Sequence, residues 1–304
     1  MDWMVMAIGA IFLIGFVVGI YKGAVKIAVS LAATVFTLIV VVIATPFVAD
    51  KIAELTPADE MIKSQVVKAM AGAATSAVTG DNSGMTAENV KKVLKAAGIT
   101  EEMLKQHDVT IDDIVNGKIT SEDLKKYGIS SSVLDGLNQK DSSSVEEAIK
   151  NADIPKDLQN KAIEMAKLPQ VFKTMLNDNN NDSVYKDLGV KTFAEYVGEF
   201  LAQLIIHMVA FLCTFLLVTI LVRAVVFALD IVANLPVLGF FNRLGGGAVG
   251  LLIALIIIWF LFIIVTLMYV TSVGREMYQT IQSNAILKII YDYNPLLKLA
   301  MNFR

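Results

Sequence analysis

Residues 244–274 read LGGGAVGLLIALIIIWFLFIIVTLMYVTSVG and contain no charged side chain. A helix crosses a hydrocarbon core of about 30 Å in about 20 apolar residues, at roughly 1.5 Å per residue. This stretch exceeds that length, and three further uncharged runs reach it: 3–21, 27–49 and 200–222. The fold class that follows is all-α, a polytopic membrane protein with four transmembrane helices. The composition agrees. Of 304 residues, 55% are hydrophobic and 18% charged, with a mean hydropathy of +0.61, which excludes a disordered chain and argues against an ordinary soluble domain. A net charge of −3 argues against nucleic acid as a partner, because displacing phosphate counterions needs a basic face. The lone Cys213 cannot form an internal disulfide and reads as a small apolar packer. No Cys/His cluster offers a metal site, and no cofactor is expected.

The charges are segregated. Residues 50–195 hold 24 of the 29 acidic residues and 18 of the 26 basic ones, all of the latter Lys. This segment is expected to be an inserted helical domain, set between a helix 1–2 hairpin (1–49) and helices 3 and 4 (196–274). Within it, Gly98-Ile99-Thr100, Gly128-Ile129-Ser130 and Asp153-Ile154-Pro155 each combine a helix stop with a helix start. The spacing predicts stacked helical hairpins. Asp178-Asn-Asn-Asn-Asp182-Ser183 is like the start of a calcium loop, but Ser183 and Gly189 stand where Gly and a bidentate Glu belong. A solvated linker is the better reading. His107 reads as a surface residue. The tail, 275–304, carries Met277, Ile281, Ala285 and Ile289 at helical spacing, which predicts an interfacial amphipathic helix broken at Pro295.

The first run has no basic n-region and no cleavage site, so it is read as a retained helix. A tight loop over 21–26 would make helices 1 and 2 antiparallel neighbours. Lys22 and Lys26 in that loop, and Arg223 and Arg243 between helices 3 and 4, place both connections in the cytoplasm. The N-terminus, insert and C-terminus are then extracytoplasmic.

Gly15, Gly19 and Gly23 share one helix face, where small residues let a second backbone approach. Packing against helix 2 or 4 of the same chain is favoured over homo-oligomer formation. Segment 235–250 supplies Pro236, which suits no helix interior, and a second glycine face at Gly246 and Gly250. Arg223 and Asp230, seven residues apart, share a face near the end of a helix too long for the membrane core. Glu199, Gln203 and His207 form an intramembrane polar stripe. It would either line a cavity for a proton or cation or, as favoured, pack as a patch against the insert or tail.

Gly19-Ile-Tyr-Lys22-Gly23, following an aspartate-led first helix, resembles the colicin V production protein (CvpA) family. So does Leu235-Pro236-Val-Leu-Gly239-Phe-Phe-Asn242-Arg243 with its glycine-rich helix start. The resemblance covers about 1–50 and 195–290, and the long insert departs from the family's short connection. It implies a bacterial inner-membrane protein of four helices, linked to colicin V production and envelope homeostasis, with no established catalytic residues. Asp2, Gly19, Gly23, Pro236, Gly239, Asn242, Arg243, Gly246 and Gly250 match as fold and packing positions, with Lys22 and Arg243 at the cytoplasmic face. The expected function is a non-enzymatic scaffold whose insert binds an envelope or secretion partner. The alternative is a small-solute or ion transporter using the stripe.

Overall fold

The computed structural model describes residues 3–66, 87, 90–91, 94, 100–106, 108–116, 118–119, 156–228 and 239–303. Its helices are α1 (Trp3–Lys22), α2 (Ala24–Leu55), α3 (Glu101–Lys105), α4 (Ile111–Val115), α5 (Lys156–Met165) and α6 (Gln170–Asn179). They continue as α7 (Asp182–Leu188), α8 (Phe193–Ala228), α9 (Gly239–Leu267), α10 (Ser272–Ser283), α11 (Ala285–Asp292) and α12 (Pro295–Met301). No strand occurs among the described residues. Four helices, α1, α2, α8 and α9, are long and apolar enough to cross a membrane. The chain is an all-α, multi-pass membrane protein. It divides into one unit of residues 1–58 and 203–304 and a second of 59–202, with α8 beginning in the second and ending in the first.

In the membrane unit, the 21–26 loop contracts to a single residue. Gly23 alone separates α1 from α2, at φ +78°, a conformation that favours glycine. α1 meets α2 only briefly beside this turn and lies instead along α9, which is helix 4, the second of the two partners expected for its glycine face. The cause is steric, since the glycine face of α1 fits a matching face on α9. α8 runs unbroken past Arg223, and at roughly 1.5 Å per residue it outreaches the hydrocarbon core.

The tail is three helices packed on α9. Asn284 ends α10 and caps α11, its Oδ1 accepting from Ile286 N and Leu287 N at 3.1 Å each. This break resets the helical phase. Ile281 is buried as the spacing implies, but Leu287 and Tyr291 then turn inward, and Ala285 and Ile289 stay exposed. Pro295 opens α12 at a first-turn position, where its missing N–H costs nothing. The Thr266 hydroxyl donates to Phe262 O (2.8 Å), so the Tyr291 phenol must donate to Thr266 Oγ1 (2.8 Å). Burial pushes the Tyr291 phenol up.

In the 59–202 unit, Phe172, Leu176, Ile163 and Val197 are buried around Tyr196, whose OH donates to Leu176 O at 2.7 Å. Tyr196 stacks on Tyr185 at 4.8 Å and meets Phe200 at 5.6 Å. The first turns of α8 therefore supply core aromatics to this unit. The Asn-rich run is a cap-to-cap corner instead of a solvated linker. Asn180 closes α6, donates to Gln159 Oε1 (2.8 Å) and accepts from Tyr185 OH (3.0 Å). Asn181 caps α7 by accepting from Val184 N, and Gly189 closes it in the left-handed region. Thr100 O accepts from Leu104 N at 3.2 Å as α3 begins. The rest of the repeat (Gly98, Gly128, Ser130 and 153–155), His107, Asp2, Asp230 and Pro236 lie outside the described residues.

Candidate functional site

The glycine residues order the membrane unit. A Cβ on Gly19 would stand 2.2 Å from Gly246 O, and one on Gly246 the same distance from Gly19 O. A Cβ on Gly250 would stand 2.2 Å from Gly15 O, and the side chain of Asn242 lies over Gly23. The pairs Gly15–Gly250, Gly19–Gly246 and Gly23–Asn242 run antiparallel, the first two backbone on backbone. Arg243 stands beside this contact, near the start of α9. Close approach of this kind replaces the hydrophobic drive that lipid does not supply between helices.

The polar stripe does not converge on one cavity. Glu199 pairs with Lys63 at 2.6 Å, and Lys63 also pairs with Asp59 at 2.6 Å. Burial lowers the Lys63 pKa, but the bonds and charges of Asp59 and Glu199 outweigh it and hold the ammonium above the ordinary lysine value. Its stabilising contribution is therefore complete below the unfolded pKa and lost as pH rises through the folded one. Melting the protein across the alkaline range should show Lys63→Met with a flatter decline than the native chain; identical curves would remove the triad from the stability account.

His207 is buried, 6% exposed, and its Nδ1 lies 2.9 Å from Ala300 O. A carbonyl only accepts, so Nδ1 carries a proton and donates it to Ala300 O. His207 lines a cavity of about 260 Å³ with Thr45, Pro46, Phe211, Asn302 and Phe303. Glu199 and Gln203 are not among its walls, and Gln203 is itself engaged. Cys213, read as a small apolar packer, is exposed on α8.

Sequence reasoning missed a larger feature, a groove of about 900 Å³ between α2, α8 and α9. Where α1 and α9 touch through glycine, α8 meets α9 through large rings. Phe260 of α9 stacks on Phe211 at 6.0 Å and Phe215 at 3.8 Å. These side chains hold the backbones apart and leave the groove beside them. Lys22, Lys26 and Arg223 stand at its mouth. Ser30 and Thr219 follow one turn deeper on facing helices, and Ala33, Ile253, Ile256 and Phe260 wall the interior. Among the described residues, none that line it is acidic. The signal was present as cations followed at four-residue spacing by hydroxyls, Lys26 then Ser30 and Arg223 then Thr219, but pairing them requires knowing which helices face each other.

Among the described residues, no group of three or more His, Cys, Asp or Glu could hold a metal ion. No curated protein and no solved structure matches the chain. Residues 187–293 match the family model described as Colicin V production protein. That segment contains α8, α9 and most of the tail, with Gly246, Gly250 and His207 but without α1 or Ala300, and over it the chain is similar to the colicin V production (CvpA) family.

Proposed function

We propose that this protein is a non-enzymatic scaffold of the bacterial inner membrane, linked to production or secretion of a colicin V-type toxin and to envelope homeostasis. Its 59–202 unit is the part that meets an envelope or secretion partner. The observation that carries this reading is the use made of the polar residues. Glu199 is committed to Lys63 and His207 to the Ala300 carbonyl, which is how structural groups behave and not how a conduction path is built. The insert and both termini lie on the extracytoplasmic side in this reading.

The test is complementation of a strain lacking the native gene, scored by toxin export and detergent resistance. Glu199→Gln with His207→Gln should retain most function, and deletion of 60–190 should abolish it. Membrane insertion of the deletion product would be checked by extraction. Full function from the deletion would overturn the scaffold reading, and loss through the double substitution alone would favour transport. Topology is read separately, with Cys213→Ala and Ser143→Cys probed by an impermeant thiol reagent in intact cells. Labelling only after lysis would place the insert in the cytoplasm.

A further inference from the structure

We infer that the groove between α2, α8 and α9 binds an anionic glycerophospholipid, with its phosphate at Lys22, Lys26 and Arg223 and an acyl chain inside. The argument rests on a match of polarity with depth. Gly23 opposite Asn242 and Gly15 opposite Gly250 fix the direction of α1 against α9, so α9 enters the membrane at the end where Lys22 and Lys26 stand. α2 leaves from that same end, and α8 returns to it at Arg223. Along α2 the groove runs from Lys26 to Thr37. At roughly 1.5 Å per residue this is about 16 Å, half of a hydrocarbon core of about 30 Å. The groove is therefore as deep as one leaflet.

The lining changes with that depth in the order that a phospholipid changes. Three cations stand at the mouth, contributed by three helices, and none forms an ion pair with a described residue. One turn deeper come the hydroxyls of Ser30 on α2 and Thr219 on α8, at the level of the ester groups of a lipid whose phosphate meets the cations. Thr219 Oγ1 is buried without a hydrogen-bond partner among the described residues. By contrast, Thr34 and Thr37, deeper still, are closed on their own helix through Ser30 O and Ala33 O, each at 2.9 Å. Their hydroxyls are thereby withdrawn, and the inner groove presents Ile253, Ile256 and Phe260. A volume of about 900 Å³ accommodates about thirty groups of water size, at roughly 30 Å³ each, ample for the methylenes of an acyl chain.

Orientation of the helices by positive charge does not by itself require this arrangement. Four basic residues serve that rule, Lys22, Lys26, Arg223 and Arg243. Arg243 lies at the same end yet does not line the groove, whereas the other three do. Basic pockets between helices at a cytoplasmic face recognise anionic headgroups. With three cations and no carboxylate among the described lining residues, the site selects a net negative headgroup over a zwitterionic one.

The experiment uses the full chain reconstituted in phosphatidylcholine vesicles with a trace of phosphatidylglycerol or phosphatidylcholine, each spin-labelled on its acyl chain. The motionally restricted fraction is read by electron paramagnetic resonance. The native protein should restrict phosphatidylglycerol several-fold over phosphatidylcholine. Each of Lys22→Gln, Lys26→Gln and Arg223→Gln should cut that preference by up to about five-fold, while Arg243→Gln leaves it unchanged. Ala33→Trp fills the groove without altering charge and should also release phosphatidylglycerol, so the test survives if a charge variant fails to insert. Equal restriction of both lipids overturns the proposal. So does an Arg243→Gln effect as large as that of Arg223→Gln, which would mean diffuse surface attraction. Full displacement by millimolar glycerol phosphate, with Ala33→Trp silent, would assign the cations to a soluble anion and overturn it as well.

Discussion

Gly19→Ala should destabilise the membrane unit by about 3 kcal/mol or more, at or beyond the upper end of ordinary overpacking. Gly9→Ala, ten residues earlier on the same helix, should be neutral or slightly stabilising. A Cβ at Gly19 would fall 2.2 Å from a carbonyl oxygen and 2.8 Å from its carbon, both of the Gly246 backbone. Nothing there is the flexible end of a side chain, so accommodation requires α1 and α9 to separate. Separation also breaks the neighbouring Gly15–Gly250 and Gly23–Asn242 contacts, because all three lie on one rigid face. At Gly9 nothing lies within 4 Å of an added Cβ, and alanine gains helix propensity of up to about 1 kcal/mol. Thermal unfolding in detergent, followed by circular dichroism, compares the two. Equal midpoints would remove the glycine seam from the account of stability.

Asn294→Ala is the second large expected loss, about 2–3 kcal/mol. Asn294 is 1% exposed and acts in both directions. Its Oδ1 accepts from Leu296 N (3.0 Å) and Leu297 N (3.1 Å), capping α12, while its Nδ2 donates to Trp259 O (3.0 Å) and ties that cap to α9. Alanine removes the cap and the tie together. α12 carries Ala300, whose carbonyl holds His207, so loosening it also frees the histidine ring. Asn294→Asp keeps the acceptor and loses the donor, and should cost less than alanine. Limited proteolysis of the tail resolves the pair. If Asp and Ala variants are cut at the same rate, the capping acceptor contributes nothing.

The four membrane helices were legible because length and apolarity act locally: each uncharged run is a spanning helix by its own composition. The glycine face of α1 was legible as a face, but its partner was not, since Gly15, Gly19 and Gly23 have the same spacing whether they meet α2, α9 or another copy. The stripe Glu199–Gln203–His207 was visible as a helical period. Its chemistry was not, because Lys63 and Ala300 come from distant parts of the chain. In the tail, one polar residue decided the outcome. Asn284 was not recognised as a cap serving two helices, so the apolar phase was carried through it and Met277, Ile281, Ala285 and Ile289 were expected on one continuous helical face. The groove was hidden for a further reason: it is defined by where Phe211, Phe215 and Phe260 prevent close packing, and periodicity records the packed faces only.

The pairing of Gly19 with Gly246 also sets a timetable. The chain grows from its N-terminus, so α1 enters the bilayer while its partner remains untranslated. At roughly 5–20 residues per second in bacterial and eukaryotic synthesis, the intervening segment takes on the order of tens of seconds. Throughout that interval the groove of bare backbone on α1 faces lipid, with only the brief contact to α2 beside it. The contact between the two ends therefore closes late, and the first helix waits for nearly the last.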